Sequence, residues 1–146
     1  MEVIVLKGDS KKGKTETLTI VYQAMLLFGY TQVHGHYKKL GNPANKDFLD
    51  ILEKHGTKIG IATLGDFDDY ASSGAAPGEI VQDLIFYLQN NWCSKVICVC
   101  NNDLQNAFSF IQNFPQVHVI TKTLASSPSS QKMKNGEDAE MIYRLI

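Results

Sequence analysis

The stretch Val3 to Leu18, VIVLKGDSKKGKTETL, constrains this chain more than any other. Gly8 and Gly13 stand five residues apart and Lys14-Thr15 follows directly, giving the spacing G-x-x-x-x-G-K-T. Such a loop binds phosphate where a strand feeds it and a helix leaves it. Val3, Ile4, Val5 and Leu6 form a continuous apolar run, the pattern of a strand covered on both faces. Leu18, Val21, Tyr22, Met25 and Leu26 then recur at intervals of three and four, a helical period. The loop is thus predicted between a buried strand and a helix N-terminus, where backbone N–H groups and the helix dipole favour an anion. Lys14 is expected to face solvent in the empty loop and to reach the terminal phosphates of a nucleotide, with Thr15 offering its hydroxyl to Mg2+. Candidate nucleotide contacts are Gly8, Asp9, Ser10, Lys11, Lys12, Gly13, Lys14, Thr15 and Glu16. Lys11 and Lys12 either raise the local positive potential or serve solubility.

The length of 146 residues fits one domain, spanning 1–146. Hydrophobic residues make up 44% and charged residues 20%, which places the chain among ordinary globular proteins. A formal net charge of −1 gives no basic surplus for nucleic acid or an anionic membrane. No apolar run reaches the roughly 20 residues of a spanning helix. Met1-Glu2 leads straight into the first strand, so no signal peptide is expected and the setting is read as cytoplasmic. Cys93, Cys98 and Cys100 are expected to be buried thiols in a reducing compartment, since their spacing is not that of a metal site.

Along the chain, Gly29 is a plausible C-cap for the first helix, and residues 31–37 read as a second strand. Residues 47–55 fit either a short helix or a strand that turns at His55-Gly56, with the tight connection favouring the hairpin. Residues 58–64 form a third strand, and the small Gly60 and Ala62 are expected to face the phosphate loop. A polar, Gly-rich loop follows, then a helix from Pro77 or Gly78 with Ile80, Val81, Leu84, Ile85 and Leu88 buried. Lys95 to Cys100 is a strand, 104–114 a helix and 117–120 the last strand. A Ser-rich loop at 126–131 precedes a closing helix over 137–146 that buries Met141, Ile142 and Leu145. This alternation predicts an α/β fold: a mainly parallel sheet covered by helices on both faces, with P-loop NTPase architecture. Loops 8–15, 65–78, 101–103 and 121–131 would then meet at the carboxyl ends of the strands.

A nucleotide–magnesium site needs an acid at the end of a neighbouring strand. The strand-end position falls near Thr63, and the acid itself is expected to be Asp66, three residues on, as metal ligand or orienter of water. Asp68 and Asp69 are weaker candidates. Lys14 and Asp66 are thus the candidate catalytic residues, and Thr15 and Asp66 the candidate metal ligands. Arg144 is the only arginine. Phosphoryl transfer is commonly assisted by an arginine, and nucleotide kinases clamp two substrates with several. A kinase is therefore disfavoured and slow hydrolysis expected. Neither Asn101-Asn102-Asp103-Leu104 nor Thr121-Lys122-Thr123-Leu124 matches the guanine-reading pattern N-K-x-D, which leaves adenine by elimination.

The loop GDSKKGKT resembles the P-loop (Walker A) signature of the P-loop NTPases. The order of segments looks like that of small stand-alone bacterial or phage ATP-binding proteins. KIGIATLGD resembles their strand ending in a Gly-Asp pair, and CSKVICVCNND a following strand that commonly ends in C-A-x-R. The resemblance implies ATP binding by Gly13, Lys14 and Thr15, with Mg2+, and Asp66 near the phosphates. Asn101 stands where the arginine is expected, which again implies weak or partner-stimulated hydrolysis. Two alternatives stay open: a small-molecule or nucleotide kinase, and a non-catalytic adaptor whose loop 66–78 responds to nucleotide. A protein partner would stimulate hydrolysis or read the adaptor's state, and a second copy of the chain could present Arg144 in trans.

Overall fold

In chain order the elements are β1 (Glu2–Gly8), α1 (Lys14–Leu27), β2 (Thr31–Gln32), β3 (Lys38–Lys39), β4 (Phe48–Lys54), β5 (Thr57–Ala62), α2 (Val81–Asn90), β6 (Lys95–Asn101), α3 (Gln105–Gln112), β7 (Gln116–Thr121) and α4 (Pro128–Tyr143). The structure, a computed structural model, describes residues 1–9, 13–68, 76 and 78–146. The apolar run at the start becomes β1, with Val3 to Leu6 fully buried. It runs parallel to β6 on one side and β7 on the other.

The seven strands form one sheet in the order β2-β4-β5-β6-β1-β7, with β3 also pairing β4. From β5 to β7 the pairs are parallel, whereas β4 is antiparallel to β5, β2 and β3. The expected mainly parallel sheet of P-loop NTPase architecture is therefore corrected to a mixed sheet. The cause is local. His55 (φ 53) and Gly56 (φ 78) both have positive φ, the requirement of a two-residue hairpin turn, so β4 must return against β5. Residues 47–55 are thus strand and not helix from Phe48 on. The second strand expected over 31–37 shrinks to the exposed pair Thr31–Gln32; a turn at His34-Gly35 interrupts it, and β3 then continues in the same direction along the same edge of β4.

Alternation along the strands divides the core in two. Val3, Val5, Ile51, Ala62, Cys98 and Cys100 pack with α2 and α3. Ile4, Leu6, Ile59, Ile61, Ile97 and Val99 pack with α1 and α4. Gly60 consequently faces α2, where a Cβ would lie 2.6 Å from Leu88. The expectation that Gly60 and Ala62 face the phosphate loop is corrected, because Ile59 and Ile61 take the α1 side. Asp50, fully buried on that side, accepts hydrogen bonds from the Tyr22 hydroxyl and Gln32 Nε2, each 2.9 Å, and so fastens α1 to β4. All three cysteines are buried and unbonded, and burial pushes the thiols of Cys93 and Cys100 up to about 11.

Helix α4 starts nine residues before the expected position at 137. Ser127 is its N-cap, accepting from Ser130 N, and Pro128 opens its first turn. Its polar middle conceals it in the sequence, since only Asn135, Asp138, Ala139 and Ile142 are buried; Met141, expected inside, is exposed. Asp138 binds the segment after β7. Its Oδ2 accepts from Lys122 Nζ at 2.7 Å and Thr123 N at 2.9 Å, and its Oδ1 from the Thr123 hydroxyl at 2.7 Å. Burial alone would raise the carboxyl pKa, but these donors outweigh it and hold the group below the ordinary value of 3.8.

Removing one partner of a buried pair strands the other charge. Asp138→Ala should therefore lower unfolding free energy by about 3–5 kcal/mol in urea melts at neutral pH. A depressed folded pKa stabilises above the unfolded value and loses that contribution as pH falls through the folded one. The deficit of the variant against the parent should therefore shrink as pH is lowered below 3.8.

Candidate functional site

Two glycines of the loop are fixed by what approaches them. A Cβ on Gly8 would lie 2.7 Å from Lys122 Cβ. Gly13 is in the left-handed region (φ 84), and a Cβ there would lie 2.5 Å from Asn135 Oδ1. Asn135, buried on α4, donates to Glu16 Oε2 at 3.0 Å and accepts from Gln131 at 2.9 Å. Helix α4 therefore clamps the first turn of α1 across the glycine. Thr17 closes that turn, its N–H and its hydroxyl both donating to the Gly13 carbonyl. Ser10, Lys11 and Lys12, expected nucleotide contacts, lie outside the described residues, as does Asp69.

Lys14 does not face solvent as expected. It is 6% exposed, and its ammonium donates to the Asp9 carbonyl across the loop. Burial lowers its pKa, opposed by the negative charges of Asp66 and Asp9. An anion entering the loop would return to this cation the stabilisation that lost hydration removed.

Thr15 turns its hydroxyl to an acid that carries no signal in the sequence. Thr15 Oγ1 donates to Asp47 Oδ1 at 2.8 Å, and Thr63 Oγ1 donates to the same oxygen at 2.9 Å. Thr63 in turn accepts from Phe48 N at 2.9 Å, and its own N–H donates to the Phe48 carbonyl. Asp47 precedes β4, so only the antiparallel return of β4 along β5 brings it to the tip of β5. It is 7% exposed, and burial raises its pKa, against the two hydroxyl bonds. The strand-end place where an acid was sought, near Thr63, is thus filled by a threonine that holds one.

Asp66 stands beside this cluster and not in it. It is exposed, and Oδ1 accepts from Asn101 Nδ2 at 3.0 Å. Asn101 is itself fixed by its N–H to the Gly65 carbonyl, and its buried Oδ1 has no hydrogen-bond partner among the described residues. Asp68 accepts from Ala107 N at 2.7 Å and caps α3, a structural task. Asp9 accepts from Asn102 Nδ2 at 2.8 Å. Lys14, Thr15, Asp47, Thr63, Asp66 and Val99 line one cavity of about 470 Å3.

The donor set suits a hard cation. A threonine hydroxyl and a carboxylate oxygen 2.8 Å apart match Mg2+, which takes few protein ligands and fills its shell with water and phosphate. Among the described residues no cluster of three or more His, Cys, Asp or Glu forms a metal cage. Arg144 pairs outward with Glu140 at 2.7 Å. The carbonyls of Leu145 and Ile146 accept from Lys95 at the amino end of β6, so Arg144 sits about a strand length, ~20 Å, from the carboxyl ends that carry the cavity.

Comparison of the chain with protein-family models, curated proteins and solved structures finds no match. Among the described residues no helix is long and apolar enough to cross a membrane.

An acid whose folded pKa is raised costs stability once pH exceeds its unfolded value, because the folded state then gives up its proton at a penalty. Asp47→Asn keeps an acceptor for Thr15 and Thr63 and removes that buried charge. Its melting temperature at neutral pH should equal or exceed the parent's, and the difference should vanish as pH falls below the ordinary carboxylate value of 3.8.

Proposed function

We propose that this chain binds a nucleoside triphosphate with Mg2+, ATP by elimination among bases, and hydrolyses it slowly unless a partner assists. The observation that carries this reading is the convergence of Lys14, Thr15 and Asp47 on one cavity at the end of a G-x-x-x-x-G-K-T loop. Its volume, about 470 Å3, lies in the range of small-molecule sites. Lys14 would exchange the Asp9 carbonyl for phosphate oxygens, a stronger partner for a desolvated ammonium. Thr15 and Asp47 would hold Mg2+, which when bound neutralises charge between the phosphates. Asp66, fixed by Asn101, would stand near the phosphates and orient water or a metal-bound ligand. The buried free thiols accord with a reducing, cytoplasmic setting.

Lys14→Met keeps most of the buried stem and removes the charge. Mg-ATP should raise the melting temperature of the parent by several degrees and leave that of the variant unmoved; an undiminished shift in the variant would refute the assignment. A panel of ATP, GTP, ADP and nucleosides in the same assay reads base and phosphate number together.

Magnesium dependence should separate the two acids. Asp47→Asn is expected to lose most of the Mg2+-dependent part of the thermal shift, and Asp66→Asn to keep it while losing turnover. The reverse pattern would make Asp66 the metal's acid.

Steady-state phosphate release should be slow, since a phosphate loop without an arginine finger can be about 10³ to 10⁵ slower than one supplied with it. Turnover per molecule that rises with protein concentration and is lost in Arg144→Ala would mean that a second copy presents Arg144. Fast turnover independent of concentration would remove the need for an arginine.

A further inference from the structure

A second cavity, between β3 and α2, takes no part in the site above. Its volume is about 350 Å3, at the small end of the range for small-molecule sites. Its floor is apolar, formed by the buried Leu49 of β4 and Leu84 of α2. Its aromatic wall is His36, ahead of β3, set edge-on to Tyr87 of α2; Tyr37 also borders the cavity, but its ring stacks on Phe48, on the other face of the sheet. The His36 Nδ1 and Tyr87 hydroxyl are 2.7 Å apart, which joins one wall to the other. Gly35 leaves a gap in the lining, with nothing within 4 Å of where its Cβ would be.

Two opposite charges face the same space. Lys38 and Asp83 both line the cavity, yet neither is in an ion pair, with the other or with any group among the described residues. The neighbouring Lys39 shows the contrast, since its ammonium is spent on the Asn45 carbonyl. An apolar floor, aromatic walls and a separated cation and anion are complementary to a small molecule with the same parts in reverse. A carboxylate would meet Lys38, an ammonium would meet Asp83, and a ring would lie against His36 and Tyr87. The ammonium would also lie within reach of ring faces, which attract cations.

We propose that this cavity binds a small aromatic zwitterion, the chemistry of a free aromatic α-amino acid. The proposal stands apart from nucleotide binding, so either can fail alone. Isothermal titration calorimetry of the full chain with L-tyrosine and L-phenylalanine tests it, beside tyramine and 3-phenylpropionate, which each keep one of the two charges. The amino acids should bind about tenfold or more tightly than either analogue, the worth of one charged hydrogen bond. Lys38→Met should weaken the amino acids about tenfold and leave tyramine unchanged, and Asp83→Asn should do the same while sparing 3-phenylpropionate. Among the described residues neither Lys38 nor Asp83 is in an ion pair, so both variants should melt close to the parent, Asp83→Asn losing no more than the helix-dipole contribution of a charge in the first turn of α2. Absence of saturable binding by both amino acids at millimolar concentration would overturn the proposal. So would analogues that bind as tightly as the zwitterions, or charge variants that bind them as the parent does.

Discussion

Asp47 is where the two halves of the sheet meet the first turn of α1. One of its oxygens accepts from Thr15, on the first turn of α1, and from Thr63, at the end of β5. Helix α1 is set by the parallel half, because β1 delivers the loop from which it starts. Asp47 is set by the antiparallel half, because it lies just ahead of β4. A buried carboxylate must be satisfied from nearby, and these two hydroxyls are what satisfy it. The bond network ties the start of β4 to α1, and Asp50, three residues further on, repeats the tie through Tyr22. Loss of the hairpin at His55-Gly56 would cost the site its acid as well as the sheet its edge.

The candidate site holds several groups in states that they would leave if they could. Lys14 is a cation inside the protein, with a neutral carbonyl as its hydrogen-bond partner. Asp47 is an anion inside the protein with neutral donors. Asn101 keeps a carbonyl oxygen buried with no donor for it among the described residues. None of these arrangements is the best for stability alone, and buried charges and orphaned acceptors are unusual away from ligands. The proposed magnesium–phosphate group would supply the missing counterpart for the first two at once: anion for Lys14, cation for Asp47. By contrast Lys122 and Asp138, equally buried and only one strand away, already neutralise each other and have nothing left for a ligand. The two lysines differ in partner, not in depth, and that difference marks which one is available.

What could be read from the sequence follows the range of the interactions involved. The loop, β1 and α1 are local, and their spacing and periodicity suffice. Helix α2 shows its stripe because one face is fully buried, while α4 hides because its buried positions are Asn135 and Asp138, polar residues that serve as a clamp and an ion-pair partner. The mixed topology is half visible in the sequence: the tight turn at His55-Gly56 marks a hairpin, while the alternation of strands and helices elsewhere points to parallel pairing. Asp47 was beyond reach, since it lies 32 residues from Thr15 and becomes a neighbour only through that hairpin. The burial of Lys14 was missed for a related reason. Spacing shows that a lysine belongs to a loop, and only the packed structure shows that the loop's own backbone occupies it.

The segment between β3 and β4 links the two cavities. Lys38 lines one, and Asp47, with Asn45 and Lys46, lines the other. Between them Gly41 N donates to Glu79 Oε1 at 2.9 Å, which ties the segment to the chain just ahead of α2. Were both pockets occupied, a shift at one end of this short connection would strain the other unless the turn at Gly41 (φ 71) absorbed it. Any such coupling would be reciprocal: a ligand at Lys38 that changed the affinity of the proposed Mg-nucleotide would have its own affinity changed by the same factor. The sign depends on whether Asp47 keeps both hydroxyl bonds when Lys38 is engaged. If it keeps them, the acid stays aligned for the metal and the two ligands assist each other. If the segment is drawn towards α2, Thr15 loses its acceptor and they compete, with no atom shared between the two sites.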